Sequence, residues 1–202
     1  MKKETFPYLQ YALQFNKKKH EYIYNDMKVP SVTGWLSTFS PPFDPYKISK
    51  EVSKNPRSEY FGMNPSDIRK KWQKTSTRGT KKHNSVEKWI KGDSENVEFQ
   101  DFFELHNIKP ENTWSEIPLF SKKILLAGTA DLITEEHDSY IIWDIKTSQK
   151  VNEDKLKKFK FQILTYCVLL QEMTEYKYNI IPGGIISIRS KSKISEDVHE
   201  ES

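Results

Sequence analysis

Three runs along the chain alternate or cluster apolar residues as β-strands do. They are WSEIPLF (114–120), ILLAGTADLIT (124–134) and YIIWDIKTS (140–148), and the short polar connections SKK and EEHDS separate them. A strongly helical pattern (153–173) follows, and GGIISIRS (183–190) reads as one more strand. The last strand must return across the long helix. The order therefore predicts an α/β fold with a central mixed β-sheet (three-strand meander, long helix, further strand) flanked by helices.

The N-terminal part shows weaker patterns. HEYIYNDMKVPSVTGWLSTF (20–39) predicts a short hairpin that turns at Asn25 and Asp26, followed by a helix that Ser31 or Thr33 could cap. We expect one domain over 1–190 with a helical N-terminal part (about 1–75), and a disordered acidic tail over 191–202.

Charged, helix-forming segments lie between these two regions. Pro56 and Pro65 break the first of them, and Ser66 is expected to cap DIRKKWQK. Gly79 is interpreted as the entry to a further helix that Gly92 ends, and VEFQDFFELHN (97–107) as the next one.

Composition limits the class of protein. The chain has 202 residues and a net charge of +4, a mild preference for polyanionic partners. No run approaches the roughly 18 apolar residues of a membrane span, and the polar start of the chain does not resemble a secretory signal, so we expect a cytoplasmic protein without a membrane partner. A single cysteine, Cys167, excludes an iron–sulfur cluster ligated by cysteines of this chain.

The candidate chemistry lies on the second and third strand-like runs. Side chains alternate along a strand, so Asp144 and Lys146 share one face. If EEHDS closes with a two-residue turn at His137 and Asp138, Asp131 falls directly opposite Asp144.

The same register argument places a third carboxylate on this face. With Lys122 and Lys123 as a two-residue turn, Glu116 falls opposite Thr129 and shares the face of Asp131. Facing carboxylates repel unless a cation lies between them, and oxygen ligands suit Mg²⁺ or Mn²⁺. An antiparallel sheet with a solvated charged face is the alternative that spacing leaves open.

These residues resemble a known family. AGTADLI (127–133) followed by YIIWDIKTS is similar to the core of the PD-(D/E)XK nucleases, with Asp131 as the first acid and Asp144-Ile145-Lys146 as the D-x-K element. The resemblance implies a restriction-endonuclease-like core. It also implies that Asp131 and Asp144 bind the metal together with the Ile145 carbonyl, and that Lys146 positions the attacking water.

Further motifs resemble the RecB-like branch. It has a histidine on a helix before the sheet, matched by His83 in RGTKKH, and a Gln-x-x-x-Tyr element on the following helix, matched by Gln162 and Tyr166. The branch implies His83 as a metal ligand. It also places the Gln–Tyr face beside the catalytic lysine and the scissile phosphate, which makes Gln162 and Tyr166 candidate catalytic residues. Glu116 matches an acid that some members use near a second metal or as a proton acceptor.

The N-terminal pattern, His20-x-Tyr22 followed by PSVT, resembles stand-alone phage exonucleases and the mitochondrial genome maintenance exonuclease. The implied function is a Mg²⁺- or Mn²⁺-dependent DNA exonuclease in phage-type recombination, repair or replication, located in the host cytoplasm if phage-encoded. A structure- or sequence-specific endonuclease and a non-catalytic nucleic-acid-binding subunit are the alternatives.

The expected partner is DNA, either single-stranded or as duplex ends. The acidic tail could contact a single-strand-binding or annealing protein. Lysines on the long helix could line the groove for the backbone, and N-terminal aromatics could stack on unpaired bases, with core packing as their alternative role. The candidate DNA-binding residues are Lys155, Lys157, Lys158, Lys160, Tyr22 and Trp35.

Overall fold

The computed structural model describes residues 5–8, 13–16, 19, 21–94, 97–98, 100–147 and 151–188. Seven strands and five helices are assigned in these ranges. In chain order they are β1 (Leu13–Asn16), β2 (Glu21–Tyr24), β3 (Met27–Val29), α1 (Val32–Ser37), α2 (Pro45–Lys54), α3 (Pro65–Ile90), α4 (Gln100–Leu105), β4 (Thr113–Ser121), β5 (Leu126–Glu136), β6 (Ser139–Lys146), α5 (Glu153–Met173) and β7 (Asn179–Ser187).

The central sheet has four strands in the order β4-β5-β6-β7. The three strands of the meander pair antiparallel, and β7 pairs parallel to β6 after the chain has crossed α5. The predicted mixed sheet with a meander, a long helix and a further strand is confirmed.

Helices cover both faces of this sheet. On one face, α1 and α5 contribute Val32, Tyr166 and Leu169 to a core that includes Ile133 and Ile142. On the other face, the end of α3 and helix α4 pack against strand residues whose side chains point the opposite way, including Leu132, Trp143 and Ile145. This alternation places Trp143 and Ile145 on the opposite face from Asp144 and Lys146, as predicted.

The N-terminal part contains a small second sheet, of order β1-β2-β3. Its β2–β3 hairpin turns at Asn25 and Asp26, both with positive φ, and the Ser31 hydroxyl accepts a hydrogen bond from the Gly34 N–H at the start of α1. The hairpin and the Ser31 cap are confirmed. The described part of 1–75, expected to be a helical N-terminal part, contains this small sheet together with α1, α2 and the first turns of α3.

Helix α3 is one continuous helix, whereas the sequence predicted two pieces. Asn64, not Ser66, caps it by accepting a hydrogen bond from the Ser66 N–H at 2.9 Å. Gly79 lies within the helix and is buried, and a Cβ there would be 2.6 Å from the Thr147 hydroxyl oxygen. Gly79 therefore marks a close contact between α3 and the end of β6, not a helix start.

Two sequence-based expectations concern residues outside the described ranges: the pattern that begins at His20, and the acidic tail 191–202. Among the helices that the structure does describe, none combines the length and the apolar character needed to cross a bilayer.

Candidate active site

The β5–β6 hairpin aligns two aspartates. Its turn lies at His137 and Asp138, and the strands pair from Glu136–Ser139 to Leu132–Trp143. The pairs end there, and continuing the same register by one residue places Asp131 opposite Asp144, the alignment that a two-residue turn predicts. The Ile145 N–H donates to Asp131 Oδ2 at 2.6 Å, so the backbone beside Asp144 holds the Asp131 carboxylate.

Strand β4 brings in a third carboxylate, by a different register from the predicted one. The connection between β4 and β5 spans four residues, 122–125. In the resulting register, Pro118 pairs with Thr129. Glu116 consequently falls opposite Asp131, and the prediction that it faces Thr129 is wrong. The error is two residues, so Glu116 keeps its predicted face. It has a φ of 55°, a rare conformation for a residue with a side chain, which tends to occur at functional sites.

Helix α3 adds an imidazole to these carboxylates. Ligand atoms of His83, Glu116 and Asp131 lie within 4.8 Å of one another. His83 Nδ1 is 3.7 Å from Asp131 Oδ1. Three elements, α3, β4 and β5, thus meet at one point. The contact of Gly79 with Thr147 brings α3 close enough to the sheet for His83 to reach it.

Asp144 takes part in a second group of polar side chains, shared with α5. Lys146 Nζ donates to Asp144 Oδ1 at 2.8 Å and lies 3.4 Å from Gln162 Oε1. Gln162 Nε2 in turn donates to Asp144 Oδ1 at 3.1 Å and to the Tyr166 hydroxyl at 3.0 Å. The Gln-x-x-x-Tyr face of the long helix therefore lies beside the lysine of the D-x-K element.

Burial sets the electrostatics of these groups. It raises the pKa of both Asp131 and Asp144 to about 7, with the nearby Lys146 ammonium opposing the shift. Burial also lowers the pKa of His83, which favours the neutral ring that binds metals. Near neutral pH the two carboxyls resist ionisation unless further positive charge reaches them.

The side chains present fit a divalent cation. They supply carboxylate oxygens and a neutral imidazole, a set that suits Mg²⁺ or Mn²⁺. The buried Asp144 Oδ2 lies 2.6 Å from Lys146 Nζ yet receives no well-aligned hydrogen bond, so it has capacity for a further cationic partner. A cation next to Asp131 and Asp144 would offset their cost of burial.

Two residues that support the site were not recognised in the sequence. Lys146 Nζ lies 4.8 Å from the centre of the Phe159 ring, a cation–π contact. A Cβ on Gly128 would be 2.5 Å from the Tyr166 ring, so the ring packs directly on the β5 backbone. Phe159 precedes Gln162 by three residues, and that spacing was the available signal.

The predicted DNA-binding residues divide into two groups. Lys155, Lys157 and Lys160 on α5 are exposed, Lys158 is half-buried and Trp35 is exposed. Tyr22 is buried, with 1% of its surface exposed, and its hydroxyl is 2.7 Å from the Thr129 hydroxyl. The prediction that Tyr22 stacks on bases is wrong, because its ring packs in a core that the small sheet shares with strands β4 and β5.

Comparison with known proteins identifies a family whose sequence model matches this chain. The model of the PD-(D/E)XK nuclease superfamily matches residues 49–201, the stretch that contains every residue of the site described above. No curated protein gives a significant match. The four-stranded mixed sheet with its flanking helices is consistent with the restriction-endonuclease-like fold of that superfamily. Since the match covers well over half of the chain and the D-x-K element and its partners are in place, the chain belongs to the PD-(D/E)XK nuclease superfamily.

Proposed function

We propose that this protein is a Mg²⁺- or Mn²⁺-dependent DNA exonuclease that hydrolyses phosphodiester bonds. The observation that carries the proposal is a pair of carboxyls, the buried Asp144 and the partly buried Asp131, between an ammonium group and the cluster of His83 and Glu116. Buried like charges of this kind reduce stability, so their presence favours a catalytic role over a structural one.

The metal would be held by Asp131 and Asp144 with His83, Glu116 and the Ile145 carbonyl as the remaining candidate ligands. When bound, such a cation polarises the phosphate and lowers the pKa of water. Glu116 is assigned either to the metal or to accepting a proton, and its closeness to Asp131 and His83 suits both roles.

Lys146 is the group assigned to position the water and to offset negative charge that develops on the phosphate. Asp144, Gln162 and the Phe159 ring surround its ammonium group and so restrict where it can point. Tyr166 fixes Gln162 through the hydrogen bond to its hydroxyl, so Gln162 and Tyr166 act by positioning Lys146.

DNA is the proposed substrate, with its backbone following the exposed lysines of α5 towards the site and Trp35 contacting unpaired bases. The His83 and Gln–Tyr motifs support the RecB-like branch, and the single cysteine supports a member without an iron–sulfur cluster. We assign the protein to phage-type recombination, repair or replication as a stand-alone enzyme in the cytoplasm, where a single-strand-binding or annealing protein is a candidate partner. A single domain over residues 1–190 is part of this proposal.

Digestion of linear and of covalently closed circular DNA tests the proposal. With Mg²⁺, the wild type is expected to release nucleotides from linear DNA and to leave the closed circle intact. Asp144→Ala is expected to release none. Cleavage of the closed circle would establish an endonuclease instead. Equal background rates for wild type and variant would support a non-catalytic nucleic-acid-binding subunit.

A further inference from the structure

Helix α3 carries a concentration of positive charge that the catalytic assignment does not use. Between Pro65 and Ile90 it has eight basic and two acidic side chains, a net charge of +6. The whole chain has a net charge of +4, so the residues outside α3 together carry −2. The basic character of the protein therefore comes from this one helix.

Four of these basic side chains form one line along the helix, which we call the α3 stripe: Lys70, Lys74, Arg78 and Lys81. They follow one another at intervals of four, four and three residues, so they lie on one face, and all four are exposed. Lys81 precedes His83 by two residues, about 200° around a helix. The stripe consequently faces away from the site to which the same helix contributes His83.

Among the described residues, an acidic side chain forms an ion pair with only one member of the stripe. The sequence has no Asp or Glu between Asp67 and Glu87. Lys70 lies 3.3 Å from Asp67, whereas Lys74, Arg78 and Lys81 have no ion-pair partner in the described part of the chain. Like charges one helical turn apart repel and disfavour the helix. A bound polyanion would remove that cost.

The spaces between these side chains offer further hydrogen-bond donors. Gln73 and Thr77 join the stripe in lining an open depression of about 560 Å³. A smaller depression of about 230 Å³ adjoins it and is also lined by Arg78 and Lys81, together with Glu98, whose carboxylate lies 3.5 Å from Lys82 Nζ. Cations combined with amide and hydroxyl groups are the set that contacts DNA phosphates.

We propose that the α3 stripe binds the phosphodiester backbone of DNA at a place separate from the catalytic site, where it holds a segment that flanks the scissile bond. The choice of DNA as the polyanion rests on the proposed function. The contact is electrostatic, so it carries no sequence preference and weakens with salt.

A matched pair of triple variants tests the proposal. Lys74→Gln with Arg78→Gln and Lys81→Gln removes three charges from the stripe. Lys47→Gln with Lys50→Gln and Lys54→Gln removes three charges from exposed lysines of similar spacing on α2. Fluorescence anisotropy with labelled duplex and single-stranded DNA, in EDTA and over a range of salt, gives the affinity and its salt dependence without hydrolysis.

The stripe variant is expected to bind at least about 10-fold more weakly at low salt, with a salt slope smaller by roughly 2 to 3, since each lost phosphate contact removes about 0.9 on duplex and 0.7 on single strands. The α2 variant is expected to stay within about 2-fold of wild type. A third variant, Lys74→Arg with Lys81→Arg, keeps the charge and should bind as wild type does.

Three results would overturn the proposal: equal losses in the stripe and α2 variants, wild-type affinity in the stripe variant, or stripe-dependent binding to anionic lipid vesicles with unchanged DNA affinity. Hydrolysis by the wild type with Mg²⁺ is measured separately. If DNA binding depends on the stripe but the wild type does not hydrolyse DNA, the proposed nuclease activity is refuted and DNA binding by the stripe is supported. If the wild type hydrolyses DNA but binding does not depend on the stripe, the nuclease activity is supported and DNA binding by the stripe is refuted.

Discussion

Replacing Asp144 with asparagine is expected to stabilise the metal-free protein. Asp144 is 1% exposed, and burial raises its pKa from 3.8 to about 7. One pKa unit corresponds to about 1.36 kcal/mol, so an ionised carboxylate at about pH 8 lowers the free energy of unfolding by roughly 4 kcal/mol. Asparagine has nearly the shape of a protonated aspartate and never ionises. The attraction of Lys146 is already contained in that pKa.

The gain must depend on pH in a particular direction. Because the pKa is higher in the folded than in the unfolded state, the penalty is absent below about pH 4, grows as pH rises and is complete above about pH 7. Asp144→Asn should therefore gain roughly 1 to 2 kcal/mol at about pH 5 and roughly 4 kcal/mol at about pH 8. Urea unfolding in EDTA at both pH values measures this.

Asp93→Asn, at an exposed aspartate, is the control and should change the free energy of unfolding by no more than about 0.5 kcal/mol at either pH. If Asp144→Asn were less stable than wild type at about pH 8, or showed the same difference at both pH values, the argument from a buried, destabilising carboxylate would be refuted.

Three further predictions concern the surroundings of the site. Gly128→Ala should lower the free energy of unfolding by about 1 to 3 kcal/mol in urea unfolding, because its methyl group would overlap the buried Tyr166 ring; an unchanged value would contradict the packing. Tyr166→Phe removes the hydroxyl that accepts from Gln162 and should cost about 1 kcal/mol in the same assay; a variant as stable as wild type would contradict a stabilising bond. Binding of Mn²⁺ should release protons and tighten as pH rises to about 7, since Asp131 must ionise to bind. Calorimetry in two buffers of different ionisation enthalpy measures this, and an affinity that does not change with pH would contradict the raised pKa.

The sequence predicted the part of the site that strand geometry determines. A two-residue turn fixes the register of a hairpin, which is why Asp131 and Asp144 could be aligned by counting. The β4–β5 turn has four residues, with Leu125 in a left-handed conformation, and Lys122 and Lys123 gave no sign of its length. Glu116 was still placed on the correct face, because strand faces repeat every two residues.

Contacts between distant parts of the chain could not be predicted in this way. Glycine is typical of helix ends, so the sequence placed a helix boundary at Gly79. The glycine lies within α3 because Thr147, far along the chain, approaches too closely for a side chain at this position. An aromatic residue suits a core and a base-stacking surface equally, so the sequence left the role of Tyr22 open. Its burial between the small sheet and strands β4 and β5 assigns it to the core.

Hydrolysis of linear DNA by the wild type, Asp131→Asn and Lys146→Gln, at about pH 8, tests the central claim most directly. Each variant is first shown to be folded and to bind DNA. The wild type should release nucleotides with Mg²⁺ or Mn²⁺ and stop when EDTA is added. Both variants should be slower by at least about 100-fold, the usual cost of losing a group that acts on the transition state. A wild type that is inactive with either metal, or variants that match its rate, would contradict the assignment of a catalytic metal site to Asp131, Asp144 and Lys146.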